Sequence, residues 1–343
     1  MSHTIAVLTG GSTPERDVAL AGAAQVVAAL RDRGYTVRTV DTAYGELSSE
    51  REAQLLHPDV KREPPGAAAL EDLAELEQAI DLVTLDALTN TDVTFLVLHG
   101  AQVEGGALQE RLDAARITYT GSDPAGSRLA MDKDAAKRRL EDAGIPTPAW
   151  ALWPADDEAV RSFGFPLIVK PSKAGSSVGL SLVETVNDLP AAIREAQTVD
   201  DVVLIEVYLP GRELTIGILD GRALTVGEII PQHEIFDYEC KYTPGLTEEV
   251  FPADIDTALA KDIQYLGETA HRALGLRDFS RVDFRLDTGG RPHCIEANTL
   301  PGMTATSLLP QSAAASGLSF GDLCARLVEL ALRRAGHGNK VPG

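Results

Sequence analysis

Arg281-Val282-Asp283-Phe284-Arg285-Leu286 and His293-Cys294-Ile295-Glu296-Ala297-Asn298, separated by Asp287-Thr288-Gly289-Gly290, decide the reading of this chain. The first run alternates charged and apolar residues, the period of a half-buried strand, so Arg281, Asp283 and Arg285 share a face. Glu296 and Asn298 share a face by the same rule. Asp287-Thr288-Gly289-Gly290 has hairpin-turn composition. A four-residue loop sets Leu286 opposite Arg291 and Arg281 opposite Glu296. Asp283, Glu296, Asn298 and Arg281 then gather on one surface. Two carboxylates and an amide oxygen form a hard oxygen site suited to Mg²⁺, which completes its shell with substrate phosphates and water. A neighbouring arginine can stabilise developing negative charge. The competing reading is a solvated hairpin face carrying a surface ion pair.

The remainder of the chain bears on that choice. It has 343 residues, enough for two or three domains, and 44% hydrophobic residues, enough for ordinary cores. A formal net charge of -20 argues against wrapping nucleic acid or an anionic membrane. Cys240, Cys294 and Cys324 are isolated, so neither a disulfide framework nor a zinc site is indicated, and a cytoplasmic protein with free thiols is expected. The N-terminus reads as a strand running into glycines and lacks the regions of a signal peptide. No apolar run approaches transmembrane length.

Strand and helix alternate in the first third. Thr4 to Thr9, Tyr35 to Asp41 and Asp92 to Leu98 read as strands, and Val18, Ala21, Ala24 and Ala28 mark a helix that Gly34 can stop. This is the pattern of a doubly wound parallel sheet. Ala43 to Pro65 reads as a long polar connection. One helix is expected from Ser127 to Ala143, closed by Gly144, then strands at Pro166 to Lys170 and Val202 to Val207. Strands dominate from Gly211 to Ile230. Helices are expected near Ile255 to Leu274 and Phe320 to Arg334. The layout implies an α/β domain over residues 1–121, a small α+β domain over 122–210 and a larger α+β domain over 211–343.

Five further stretches carry chemistry. Gly10-Gly11-Ser12-Thr13-Pro14-Glu15-Arg16-Asp17 joins a strand to a helix, where glycines admit a ligand to the backbone. It lacks the third glycine of a dinucleotide fingerprint, and Glu15 also suits a plain first-turn acid. Lys170-Pro171-Ser172-Lys173-Ala174-Gly175-Ser176-Ser177-Val178-Gly179 ends a strand in a lysine and continues as a hydroxyl-bearing glycine loop able to cradle phosphates. It is not a P-loop. Glu206-Val207-Tyr208-Leu209-Pro210-Gly211-Arg212-Glu213 spans a domain junction, where an adenine edge and ribose hydroxyls can be read. Tyr238-Glu239-Cys240-Lys241-Tyr242-Thr243-Pro244-Gly245 is a polar loop able to cover a site. Asn298-Thr299-Leu300-Pro301-Gly302-Met303-Thr304-Ala305-Thr306-Ser307-Leu308 carries glycine and hydroxyls suited to a carboxylate. His99-Gly100 follows a buried strand, at the end where open α/β sheets bind ligands.

In this order, together with Met131-Asp132-Lys133, these motifs resemble the D-alanine-D-alanine ligases of the ATP-grasp superfamily, from about residue 4 to 335. The resemblance implies an ATP-grasp fold and a homodimeric, ATP-dependent carboxylate-amine ligase that makes D-alanyl-D-alanine for peptidoglycan precursors. Its substrates would be D-alanine and ATP, and two Mg²⁺ ions, replaceable by Mn²⁺, would be held by Asp283, Glu296 and Asn298. Lys133, Lys170 and Ser177 would meet the ATP phosphates. Glu206, Val207 and Leu209 would line the adenine pocket and Glu213 the ribose. Lys241 would reach the transferred phosphate. Glu15 would take the ammonium of the first D-alanine, beside His99. Ser307 and Leu308 would take the carboxylate of the second. Ser176 and Tyr242 would link to Glu15, and Arg281 with the Gly302 amide would stabilise the tetrahedral intermediate.

The chain departs from the family pattern at Thr13 and Ala19, where members usually carry serine. It departs again at Val103-Glu104-Gly105-Gly106, where they carry Gly-Glu-Asp-Gly. These changes bear on the first substrate. Lys241-Tyr242 favours a dipeptide over a depsipeptide product. The alternatives are an ATP-grasp dipeptide ligase for other amino acids and an idle nucleotide-binding protein.

Overall fold

The computed structural model describes residues 3–58, 60, 65–155, 157–175, 177–233 and 245–338. Strands β1 (Thr4–Thr9), β2 (Thr36–Asp41), β3 (Gly45–Glu46) and β4 (Val93–Leu96) form a sheet of order β3-β2-β1-β4. β1 pairs in parallel with β2 and β4, and the two-residue β3 adds an antiparallel edge. Ile5, Val7 and Phe95 are fully buried, as the continuous apolar runs predict for strands covered on both faces. The helix Arg16–Asp32 follows β1, and Gly34 ends it at φ 82°.

The stretch expected as a plain connection, Ala43 to Pro65, contains β3 and a helix, Ser49–Leu55, whose N-cap Ser48 accepts from the Arg51 amide at 3.3 Å. A further helix, Ala67–Gln78, buries only Leu73. Its weak apolar stripe explains why the sequence does not announce it.

Strands β5 (Trp150–Trp153), β6 (Leu167–Pro171), β7 (Ser181–Val183) and β8 (Val203–Val207) form an antiparallel sheet of order β5-β8-β6-β7. The single helix expected from Ser127 to Ala143 is two helices, Pro124–Met131 and Lys133–Asp142. Asp132 leaves helical geometry at ψ 97° and caps the second helix by accepting from the Ala135 amide at 3.1 Å. The break frees the Lys133 amide to bond Ser172 O at 3.1 Å. Lys133 is thereby anchored beside the end of β6.

The third sheet has β9 (Glu213–Leu219), β10 (Arg222–Pro231), β11 (Thr247–Val250), β12 (Phe279–Leu286) and β13 (Pro292–Asn298) in the order β11-β10-β9-β12-β13. Leu140 and Ile263, from the helices Lys133–Asp142 and Thr257–Ala273, share its core with Ile216, Val282 and Phe284. The last helix, Phe320–Gly338, packs Leu323, Leu327 and Val328 into the core of the first sheet. Asp278 clasps the two regions. It accepts from the Gly121 amide at 2.8 Å and pairs with Arg334, which also donates to Tyr119 O at 2.6 Å.

The β12–β13 register differs from the one expected. The Asp287 amide bonds Arg291 O at 2.9 Å, and Asp287 Oδ1 accepts from the Gly289 and Arg291 amides. Arg291 therefore belongs to the turn, and Leu286 pairs with Pro292. A bulge between Asp283 and Phe284 then shifts the pairing again, leaving Ile295 as the extra residue. Arg281 consequently opposes Asn298, not Glu296, and Asp283 opposes Glu296. Strict alternation would place Cys294 and Glu296 on one face. With the bulge, Cys294 is fully buried while Ile295 and Glu296 both line a cavity.

Candidate active site

Two contiguous cavities lie where the three sheets meet, and both are lined by Lys133, Ala174, Arg281 and Glu296. At the shared wall, Arg281 Nε donates to Asp283 Oδ1 at 3.0 Å and Nη2 to Oδ2 at 2.8 Å. Thr215 Oγ1 donates to Asp283 Oδ1 at 2.6 Å. Glu296, directly opposite Asp283, lies 4.0 Å from Arg281 Nη2 and 3.9 Å from Lys133 Nζ. Asn298 Oδ1 accepts from the Leu300 amide at 3.0 Å, which orients the amide group. Facing residues of an antiparallel pair hold their Cβ atoms about 5 Å apart. The two carboxylates and the amide oxygen thus fit a hard divalent cation that takes further oxygens from phosphate and water. Among the described residues no group of three or more His, Cys, Asp or Glu side chains could hold a metal ion by itself.

One cavity runs between the second and third sheets. Lys170, Ser177, Glu206, Val207, Leu209, Glu213 and Asp283 line it. Ser177 has left-handed backbone, φ 57°, within the glycine loop. Lys133 Nζ donates to Ala174 O at 2.6 Å, tying that loop to the helix behind it. Arg285 lies 4.8 Å from the Tyr208 ring and 4.0 Å from Glu213 Oε2.

The buried Glu206 carboxylate is held by two lysines. Lys170 pairs with Oε1, and Lys137 Nζ donates to Oε2 at 2.9 Å and to Thr147 Oγ1 at 2.8 Å. Burial opposes ionisation of Glu206, but Lys137 and Lys170 outweigh it and hold the carboxyl below its ordinary range. Burial pushes the Lys137 ammonium down, with Lys170 adding to the shift and Glu206 opposing it. Sequence reasoning missed Lys137, although it stands one helical turn from Lys133. Lys137→Met is expected to cost about 3 kcal/mol of unfolding free energy, the low end for breaking a buried pair, because Lys170 stays to partner Glu206. Urea denaturation measures it, and a loss below about 0.5 kcal/mol would remove Lys137 from the framework.

The other cavity joins the first and third sheets and is lined by Glu15, His99, Gly302, Ser307 and Leu308. Glu15 is the N-cap residue of the helix Arg16–Asp32, with its side chain buried and uninvolved in capping. His99 is buried, and among the described residues its Nε2 has no hydrogen-bond partner. Burial lowers its pKa, with Glu15 opposing and Arg281 reinforcing. Ser307 is the N-cap of the helix Leu308–Ala315, and its hydroxyl meets Thr304 Oγ1 at 2.7 Å. A side chain at Gly302 would put Cβ 2.7 Å from Ser307 Oγ, so any larger residue there would displace the Ser307 hydroxyl.

Two carboxyls to which the sequence analysis gave no role of their own also line this cavity. Glu249, on β11, accepts from Gln311, whose Nε2 also donates to Thr306 O at 2.7 Å. Glu104, in the departing Val103-Glu104-Gly105-Gly106 stretch, accepts from the Gly100 amide at 2.9 Å. Burial first, and Glu15 second, push the Glu104 carboxyl up to about 8. A native state that keeps a proton the unfolded chain has released loses stability as pH rises through that window. The ligand-free protein should therefore weaken between about pH 5 and 8, and Glu104→Gln should flatten that fall. Parallel melting-temperature profiles for the two proteins would contradict this.

Ser176, Lys241 and Tyr242 lie outside the described residues, as does most of the Tyr238 to Gly245 loop.

A family model described as "D-ala D-ala ligase N-terminus" matches residues 4–122, and one described as "D-ala D-ala ligase C-terminus" matches residues 140–329. A D-alanine–D-alanine ligase of Geobacter sulfurreducens is 38% identical over 342 residues, covering 98% of this chain and 97% of that protein. One of Halalkalibacterium halodurans is 36% identical over 339 residues, covering 96% and 99%. Among solved structures, the D-alanine–D-alanine ligase of Bacillus anthracis complexed with ATP superposes with a TM-score of 0.76 at 27% identity, covering 98% of this chain and all of that one. The VanG D-Ala:D-Ser ligase of Enterococcus faecalis does so with a TM-score of 0.78 at 28% identity, covering 96% of this chain.

Proposed function

Because this chain belongs to the D-alanine–D-alanine ligase family, we propose that its two joined cavities make an acyl phosphate from one D-alanine and pass it to the amine of a second. The chain is an ATP-dependent ligase of the ATP-grasp fold, acting in the supply of peptidoglycan precursors. The observation that carries the mechanism is the shared wall: Arg281 and Glu296 line both cavities, so phosphoryl donor and acceptor meet there.

A carboxylate is a poor electrophile. One oxygen of the first D-alanine takes the γ-phosphoryl group of ATP, releasing ADP. The second amine then attacks the acyl carbon, the bond to phosphate breaks and phosphate leaves, and the nitrogen loses one proton while keeping one in the new amide. Lys133, Lys170 and Ser177 bind the phosphates, a task of positioning and charge neutralisation. Val207 and Leu209 take the adenine with the stem of Glu206, whose carboxylate keeps the two lysines in place. Glu213 takes the ribose. Asp283, Glu296 and Asn298 would hold Mg²⁺, as two ions, or Mn²⁺ in its stead. The metal would supply neutralisation of phosphate charge.

Glu15 takes the first ammonium beside His99. Ser307 and the first amides of the following helix take the second carboxylate, since a helix N-terminus favours an anion. Arg281 and the Gly302 amide face the oxyanion of the tetrahedral intermediate. Ser176, Tyr242 and Lys241 enter on the family resemblance: the first two link to Glu15, Lys241 meets the transferred phosphate, and their loops exclude water.

We assign the three domains to residues 1–121, 122–210 and 211–343, and the protein to a cytoplasmic homodimer, as the resemblance implies. Among the described residues no helix is long and apolar enough to cross a membrane.

The test is phosphate release from Mg-ATP with D-alanine, with the product identified by mass. Release together with D-alanyl-D-alanine supports the reading. ATP turnover only with other amino acids, D-serine in the second position among them, would replace D-alanine and keep the ligase. ATP binding without turnover across a broad amino-acid panel would leave an idle nucleotide-binding protein.

A further inference from the structure

The loop that delivers Glu15 begins with two glycines in left-handed backbone, Gly10 at φ 106° and Gly11 at φ 97°. Such a pair is the least restrained backbone available and does not hold a side chain in register by itself. What restrains it comes from elsewhere. Arg16 donates to Gly11 O at 3.1 Å and to Asp41 Oδ2 at 2.6 Å. The Gly11 amide donates to Thr42 Oγ1 at 2.7 Å, and Ser12 Oγ donates to Glu77 Oε2 at 2.6 Å. Thr42 Oγ1 in turn donates to Glu77 Oε1. One carboxylate, 65 residues from Ser12 and 35 from Thr42, thus engages both ends of a chain of hydrogen bonds around the glycine pair.

The direction of those bonds matters. An ionised carboxylate only accepts. Glu77 therefore obliges both hydroxyls to point their protons at it. The Thr42 oxygen is then left with a lone pair for the Gly11 amide, and the three bonds support one another. The helix that carries Glu77 buries only Leu73, so it adds little to the core. Its last turn nonetheless reaches the one loop that leads into Glu15.

We infer that Glu77 is a positioning residue for the first amino-acid subsite, clamping Gly10-Gly11-Ser12 so that Glu15 meets the substrate ammonium. This rests on the role proposed above for Glu15. Glu77 touches no substrate and acts through Ser12 and Thr42.

The experiment compares Glu77→Ala, Glu77→Gln, Thr42→Val and Glu15→Gln in the whole protein. Steady-state kinetics resolve KM for the first D-alanine, the second D-alanine and ATP, with melting temperature recorded beside them. Glu77→Ala should raise the first-subsite KM by about tenfold, with the second-subsite and ATP values within about twofold and the melting temperature nearly unchanged. Glu77→Gln keeps one acceptor oxygen but sets an NH2 donor against the other hydroxyl, so it should restore only part of the loss. Thr42→Val removes the clamp from its other end and should reproduce the alanine phenotype if Glu77→Ala does not fold. A first-subsite KM within twofold of the unaltered protein overturns the inference. So does a parallel rise of all three constants with a fall in melting temperature, which marks a purely structural role. Glu15→Gln separates the two levels. If it raises the first-subsite KM and the Glu77 and Thr42 variants do not, only the clamp fails. If it has no effect on that constant, the Glu15 assignment fails and takes the clamp with it.

Discussion

Arg281→Ala is expected to lower turnover by roughly 10²-fold or more while leaving ATP affinity within about twofold. The guanidinium is locked by Asp283 and only 12% exposed. It is therefore aimed before the reaction begins and sits where water screens it poorly. Charge develops on the acyl oxygen only in the transition state, so the lost interaction should appear in rate more than in binding. In the proposed site Val207, Leu209 and Glu213 of this cavity take the adenine and ribose, and Arg281 does not. Asp283 keeps its bond from Thr215 in the variant, which limits collateral damage. Arg281→Lys should rescue little, because a point charge cannot form the two-nitrogen fork on Asp283. Nucleotide titration calorimetry beside steady-state turnover measures both quantities. Turnover within threefold of the unaltered protein would strip Arg281 of its role.

Glu296→Ala should cut activity by at least about 10²-fold and raise the Mg²⁺ concentration needed for half-maximal rate. Asp283 and Glu296 face each across the bulged pair, and Asp283 is already shared with Arg281 and Thr215. Removing Glu296 halves the carboxylate charge of the proposed donor set. It also leaves Lys133 and Arg281, at 3.9 and 4.0 Å, without the anion between them. Mn²⁺ binding followed by electron paramagnetic resonance gives a readout independent of turnover. Unchanged metal affinity with retained Mg²⁺-dependent activity would rule out this ligand.

Much of the fold could be read in advance because local pattern carried it. The apolar run at Thr4 to Thr9, the helical spacing from Val18 to Ala28 and the alternation around Asp283 each place an element close to where it lies. Less visible were features set by one residue overriding its neighbours. Asp132 divides an otherwise continuous helical pattern because its side chain caps the next helix better than its backbone continues the last. The extra residue at Ile295 reverses which side chains of β13 enter the core, and period-2 counting has no means of detecting a bulge.

The candidate site shows the same division. Every described residue given a binding or catalytic role in the sequence analysis lines one of the two cavities. Lys137, Glu249 and Glu77 were missed, and Glu104 was quoted without a role of its own, because a single lysine or glutamate on a helix or edge strand looks like solvated surface. Only their partners, Glu206, the Gly100 amide, Gln311 and the Ser12–Thr42 pair, distinguish them.

By itself, then, the sequence determined the order of elements, the glycine loops, the lysine at the end of β6 and the acidic hairpin, all of which depend on residues near one another in the chain. The tertiary structure alone decided that Asp283 faces Glu296, that Glu206 is held between Lys170 and Lys137, and that Glu77 grips the loop before Glu15. Those pairings join residues up to 69 positions apart. They exist because packed sheets and helices bring distant backbone together, and a buried carboxylate must then find donors among whatever that packing places beside it.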